Sequence, residues 1–357
     1  MPVSDWVDHP TIQANMTTNE LLAGEPVCVV CGRYGEYVCD ATDEDVCSLQ
    51  CRDVSIARRQ QKRQQEAQEL KHSEELRREL GIKITIGSAG GSGNAPYPTP
   101  LVDFAQAQLP KKLLMNLSAN GFERPTPVQM QTIPCVLQGH NVLVSAPTGT
   151  GKTASYLIPT ITEIVFAREV QKETVALVLV PVRELAIQIE SVAKSLVRGI
   201  ADMKTALLVG GFPVPTQRYR LQGGVQIIVA TPGRFLDIFT NYSGGDVILP
   251  AIRTCVIDEV DTMLDVGFRP QISQIVALLG GLSDKKQEDI QLLFFSATIS
   301  DEVETLVQQV LKLQIKQVYT RIDVHNEIKR NARYSLNSSV KHVVRWSEDK
   351  RKKIELF

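Results

Sequence analysis

Five short apolar runs constrain the fold more than any other feature of this 357-residue chain: NVLVSA from Asn141, ALVLVP from Ala176, QIIVAT from Gln226, TCVIDE from Thr254 and LLFFSAT from Leu292. Each is β-branched or Leu-rich, too short for a helix, and closed by Pro, Ser, Thr or an acidic residue. Helix-forming stretches separate them. Strands apolar on both faces and alternating with helices build βαβ units, so the expected fold is α/β, a doubly wound parallel sheet covered on both sides. Such sheets bind ligands at the carboxyl ends of their strands. The polar residues collect there, at Thr148 to Thr153, Arg183, Thr231 to Arg234, Asp258 to Asp261 and Ser296 to Thr298.

The first run leads into Ala146-Pro147-Thr148-Gly149-Thr150-Gly151-Lys152-Thr153 and then a helix. This differs from the phosphate loop G-x-x-x-x-G-K-[ST] only in Ala146 at the first position. Gly149 and Gly151 let backbone N–H groups turn toward a phosphate, and the helix N-terminus adds its positive dipole end. Lys152 would reach the β- and γ-phosphates of a nucleotide, and Thr153 would offer a hydroxyl to Mg²⁺. The run TCVI ends in Asp258-Glu259. Carboxylates at the tip of a buried strand are costly unless they hold a metal or a proton. Asp258 suits the Mg²⁺ opposite Thr153, and Glu259 suits the group that orients and deprotonates an attacking water. The same pair also suits a helix N-cap with charge in the first turn. Lys152, Asp258 and Glu259 are the candidate catalytic residues.

Composition narrows the partners. Lys plus Arg number 39 and Asp plus Glu 40, a net charge of −1, which excludes a chain held to nucleic acid mainly by bulk positive charge. No run approaches the roughly 18 apolar residues of a membrane span. Met1 to Glu20 lacks the basic and apolar regions of a secretory signal, so the expected location is nucleus, cytoplasm or both. The length suggests about two domains.

The amino-terminal side has a different texture. Residues 1–26 are polar and aperiodic, read as a flexible tail. Residues 27–55 hold five of the seven cysteines. Cys28-x-x-Cys31 and Cys47-x-x-x-Cys51 can place four thiolates around one structural Zn²⁺. So short a segment has no core of its own, and a metal of that kind supplies about 10–16 kcal/mol. Residues 56–80 lack Pro and Gly and read as a charged helix, either a solvated joint between domains or an RNA-binding arm through Arg58, Arg59, Lys62 and Arg63. Residues 87–100, GSAGGSGNAPYPTP, read as a linker that does not pack, within an interdomain region of 56–100. Cys135 and Cys255 lie in apolar runs and read as core.

From about Phe104 to Tyr319 the order of motifs resembles that of the DEAD-box ATP-dependent RNA helicases. The resemblance implies a RecA-like domain over 101–322, with an adenine-reading Q motif over 102–130. Gly121-Phe122-Glu123-Arg124-Pro125-Thr126-Pro127-Val128-Gln129 resembles that motif. Gln129 would bond the adenine edge, Phe104 would stack on the base, and Phe122 lies in the same site. Ala in the first place of the phosphate loop is usual in the family. Pro181 to Leu185, Gly210-Gly211 and Thr231 to Arg234 resemble three motifs that hold an RNA backbone, through Arg183, Gly211, Thr231, Gly233 and Arg234. Such contacts position RNA without reading its sequence. Asp258-Glu259-Val260-Asp261 stands where the family has Asp-Glu-Ala-Asp. Ser296-Ala297-Thr298 would bond to Asp261, and with it would line the ATP site. Val260 for Ala and Val182 for the usual Thr depart from the pattern. The first change is expected to be tolerated; the second removes a hydroxyl that could meet an RNA phosphate.

Tyr37-Val38-Cys39 and Val46 to Cys51 resemble a HIT-type zinc finger, a module that generally binds proteins. A second zinc in that family would require, beside Cys39, ligands near Thr42, Ser55 and Arg59 that this sequence lacks, so one zinc is expected and Cys39 is left free or auxiliary. Residues 323–357 resemble a linker and the start of a second RecA-like domain. The expectation is an ATP-driven RNA-remodelling enzyme whose present chain carries one helicase domain and unwinds poorly. An adaptor with a passive ATPase half, and a DNA helicase, are the competing readings.

Overall fold

The computed structural model describes residues 25–88, 97–169, 175–241, 251–281, 290–314 and 317–324. Packing divides the chain into two units at Glu75 and Leu76. Of the tail read over 1–26, residues 1–24 lie outside the described residues, as do the middle of the linker and everything after Val324.

In the first unit, β1 (Tyr37–Cys39) and β2 (Glu44–Val46) form an antiparallel hairpin in which Cys39 faces Glu44. Its turn holds Asp43 at a φ of 56°, a left-handed conformation that Asp tolerates. Among the described residues its apolar cluster is Cys28, Cys39 and Val46, with Tyr37, Ile56 and other residues packed around it. Helix α1 (Leu49–Glu79) starts earlier than the composition suggests, because the Ser48 hydroxyl accepts from the Cys51 N–H and caps it. The boundary expected between finger and helix at 55/56 therefore falls inside one helix.

The second unit is an eight-stranded sheet of order β3-β10-β4-β9-β8-β5-β7-β6. The strands are β3 (Ile82–Ser88), β4 (Asn141–Ser145), β5 (Val175–Leu179), β6 (Thr205–Leu208), β7 (Ile227–Ala230), β8 (Ile252–Ile257), β9 (Gln291–Ser296) and β10 (Val318–Val324). All pairs are parallel except β3 with β10. Helices α2 (Lys111–Ala119), α3 (Pro127–Leu137), α4 (Lys152–Glu169), α5 (Arg183–Leu196), α6 (Val214–Gln222), α7 (Pro232–Leu236), α8 (Val260–Asp265), α9 (Arg269–Gly281) and α10 (Asp301–Leu311) connect them. Alternate strand residues feed two apolar clusters. One contains Val142, Val144, Val178 and Phe295, the other Leu143, Leu177, Ile257 and Phe294. The expected α/β sheet is present, with an antiparallel edge that the apolar runs do not reveal.

Two expected boundaries shift. Gly87 and Ser88, read as linker, end β3, and Asp323 and Val324 complete β10. The linker's far end also packs: Pro98 and Pro100 are buried, and the Pro98 carbonyl accepts from Arg77 at 2.8 Å and from Gln131 at 3.0 Å. A Pro-rich strap still has carbonyls to offer, and buried donors find them. Among the described residues no helix is long and apolar enough to cross a membrane.

Candidate functional site

Register places the chemistry. Ser145 pairs with Ser296, and Ile257 with Phe294, so β4, β9 and β8 end side by side. The phosphate loop leaves the first, Ser296-Ala297-Thr298 the second and Asp258-Glu259 the third. Gly149 and Gly151 have φ of 77° and 95°, which keeps the loop open for approach to its N–H groups. A Cβ on Gly151 would strike the Gln129 amide. Pro147 is half-buried, Thr148 is exposed, and the Thr150 hydroxyl closes the loop by donating to the Pro147 carbonyl at 2.7 Å.

The Lys152 ammonium donates to the carbonyls of Ala146 at 2.7 Å and Ser296 at 3.4 Å. Burial lowers its pKa, while Asp258, Asp261 and Glu259 pull it upward. Asp258 is buried, and burial raises its carboxyl to about 6 against the opposing hydrogen bonds. It accepts from the Glu259 N–H at 2.9 Å and from the Tyr156 hydroxyl at 3.0 Å. Tyr156, one helical turn after Lys152 on α4 and fully buried, is not signalled by the sequence; only the i, i+4 spacing places it on the face of the lysine. Glu259 occupies the N-cap position of α8 at a φ of 49°, but its side chain makes no capping bond. The capping role that the sequence also allowed is therefore not the one observed, and a left-handed Glu at a strand tip is strain of the kind found at functional sites. Asp261 accepts from the Thr298 N–H and hydroxyl at 3.1 and 3.0 Å. Burial raises its pKa, but hydrogen bonds from Thr262, Ser296 and Thr298 outweigh that and lower it.

Gln129 is held at both ends of its amide: its oxygen accepts from the Thr126 N–H at 3.0 Å, and its nitrogen donates to the Gly151 carbonyl at 3.1 Å. The Q-motif helix is thereby tied to the phosphate loop. Phe122 is half-buried, whereas Phe104 is only 4% exposed and belongs to the core, so it offers little open face to a base.

A second group forms where β5, β6 and β7 end. The Arg183 guanidinium lies 5.6 Å from the centre of the Phe212 ring. Gly211, at a φ of 82°, leaves room for it, since a Cβ there would collide with the guanidinium. Arg234 donates to the Phe212 carbonyl at 3.1 Å and pairs with Asp237 at 3.7 Å. Thr231 and Gly233 begin the short α7 beside them. The residues read as backbone-binding thus share one edge, around an aromatic that the sequence reading did not single out. Val182 caps α5 without a side-chain bond, where a hydroxyl would have made one possible.

In the first unit, the sulfurs of Cys28, Cys31, Cys47 and Cys51 all lie within 4.8 Å of one another, the one cluster of metal-ligand spacing among the described residues. Three of their separations are 3.3, 3.6 and 3.9 Å. Zn–S bonds of about 2.3 Å put tetrahedral sulfurs about 3.8 Å apart, so the set fits Zn²⁺. Burial and the neighbouring sulfurs raise Cys47 to about 12, a cost that a bound cation removes. Burial also acts to raise Cys28, but backbone N–H groups of Cys31, Val30 and Cys47 bring it to about 7. The positions of a second site are occupied by hydrogen bonds instead. Thr42 and Ser55 hydroxyls lie 3.0 Å apart, Ser55 donates to Glu44 at 2.6 Å, and Arg59 donates to the Ala41 carbonyl at 3.2 Å.

This combination is that of an α/β domain with a phosphate-loop motif joined to a cysteine finger. Residues 126–306 match the DEAD/DEAH box helicase family and residues 24–53 the HIT zinc finger. The chain belongs to the DEAD/DEAH box helicase family and carries a HIT zinc finger. It is 39% identical over 381 residues to "Probable ATP-dependent RNA helicase DDX59" of Homo sapiens, covering 98% of this chain and 56% of that protein. It is also 39% identical over 352 residues to "DEAD-box ATP-dependent RNA helicase 41" of Arabidopsis thaliana, covering 94% and 64%. It thus spans 56% to 64% of the length of these relatives. The crystal structure of a DEAD box protein from Methanococcus jannaschii matches with a TM-score of 0.53 and 32% identity, over 63% of this chain and 57% of that one.

Proposed function

We propose that the protein is an ATP-dependent RNA helicase in which ATP turnover is coupled to remodelling of RNA held at the far end of the same sheet edge. The observation that carries this reading is the Lys152 ammonium, held by the Ala146 and Ser296 carbonyls and electrostatically drawn to Asp258, Asp261 and Glu259. In that reading the loop N–H groups and Lys152 bind the phosphates, Gln129 reads the adenine edge and Glu259 takes a proton from the attacking water. Thr153 and Asp258 would hold Mg²⁺, which neutralises charge developing on the phosphates. Thr298 and Asp261 join the ATP side to the loop after β9. Arg183, Gly211, Thr231, Gly233 and Arg234 would hold one RNA strand by its backbone, with little sequence preference.

The finger is proposed to hold one structural zinc and to dock a protein. Val29, Val38, Leu49 and Val54 are exposed on it, and a cavity of about 570 Å³ opens between Tyr37, Val38, Leu49 and Arg52. RNA-stimulated phosphate release tests the enzymatic reading. Glu259→Gln should lower it about 10²–10⁴-fold. Wild-type protein that releases no phosphate with RNA present would favour the adaptor instead.

A further inference from the structure

We propose that Phe212 is a base-stacking platform in the RNA path, giving this chain a contact to the bases in addition to the backbone contacts around it. The inference rests on the RNA reading above. Phe212 is 43% exposed, on a loop whose backbone is fixed from several sides. Gln217, buried on α6, accepts from the Val209 N–H at 3.0 Å and donates to the carbonyls of Val209 at 3.2 Å and Phe212 at 3.0 Å. Arg234 donates to the same Phe212 carbonyl at 3.1 Å. The next residue, Pro213, restricts the chain as it enters α6. The ring is thus presented to solvent by a loop tied at Val209 and Phe212 by hydrogen bonds.

Its surroundings identify the ligand. The Arg183 guanidinium lies 5.6 Å from the ring centre, and Gly211 exists in a form that admits it. An apolar ring with the Arg183 guanidinium over it, and with Arg234, itself paired with Asp237, bonded to its carbonyl, has positive charge beside it and leaves 43% of its surface to solvent. A protein side chain could use the ring, but a nucleotide uses both parts: its phosphate meets the arginines and its base meets the ring. Base–aromatic stacking tolerates any sequence because every base has a π face, so this contact adds affinity to a backbone-tracking site while keeping it general.

The test uses the 357-residue chain with a non-hydrolysable ATP analogue and fluorescence anisotropy. The probes are a labelled oligoadenylate RNA and the same RNA with abasic riboses. Phe212→Ala should weaken binding of the oligoadenylate about ten- to a hundredfold and leave abasic binding nearly unchanged. Phe212→Trp should keep affinity, and its added fluorescence should be quenched by oligoadenylate and not by the abasic strand. Equal losses on both RNAs, no loss on either, or an unquenched Phe212→Trp would overturn the proposal. Wild-type protein that binds neither RNA would overturn the RNA reading itself, and this proposal with it.

Discussion

A carboxyl group taken out of water must find a cation, a donor or a proton, and two such groups in this protein differ in which they find. Asp258 has the Tyr156 hydroxyl, its own following N–H and the field of Lys152, yet burial still holds it at about 6. Tyr156→Phe removes the donor that favours the ionised form. The expected result is weaker Mg²⁺ binding, with the half-saturating Mg²⁺ concentration for turnover raised about tenfold; a hydrogen bond to a charged group is worth about 1.5–3 kcal/mol. A Mg²⁺ titration of phosphate release checks it. Glu163 on α4 has, among the described residues, only the Thr254 hydroxyl, at 3.4 Å, and burial raises it from 4.5 to about 7. The folded chain keeps this proton where the unfolded chain has released it. Its contribution is therefore fully present below pH 4.5 and is lost as pH rises toward 7. Glu163→Gln should remove that decline, worth up to about 3 kcal/mol, and urea unfolding at several pH values would show it. Neither Tyr156 nor Glu163 is legible in the sequence. A hydroxyl on a helix and a Glu among helix formers acquire meaning only when the sheet packs against them.

At the scale of elements, the sequence shows what is buried on both faces and hides what is not. β4, β5, β7, β8 and β9 are continuous apolar runs because helices cover both their sides. β3 and β10 carry Lys83, Arg321 and Asp323, so neither stands out as a run. The same applies to the last turn of α1. Arg77 looks like one more charge in a charged helix, yet it is 5% exposed and donates to Gln131 and to Pro98, each at 2.8 Å. It fastens the Pro-rich strap to α3 two residues from Gln129. Arg77→Met should destabilise the larger unit by about 1–3 kcal/mol, since it takes the donor from the buried Gln131 amide oxygen while Pro98 keeps its bond from Gln131, and a denaturant titration measures that. The finger depends on a different element. Chelation should unfold the hairpin and finger core while leaving the thermal transition of residues 76–357 in place, a loss visible by circular dichroism and zinc release. A finger that survives chelation would show that its small apolar centre suffices.

Across the whole molecule, one sheet edge carries both groups of candidate residues. Its β4, β9 and β8 end holds the nucleotide residues, and its β5, β7 and β6 end holds the arginines and Phe212. The seam between the halves is β8 against β5, where the Asp258 N–H donates to the Leu179 carbonyl at 3.0 Å. The motifs made both ends readable, because phosphate binding demands particular residues at fixed spacing. The aromatic platform was not readable, since an exposed Phe in a turn carries no spacing rule. All of this depends on Lys152 and Asp258 forming a nucleotide site. The most direct test is calorimetric titration of MgATP into the 357-residue chain and into Lys152→Ala. One site on the wild type, weakened at least about tenfold by loss of the lysine's phosphate contacts, is the predicted result. Equal binding by the two proteins, or heat from neither, would contradict it.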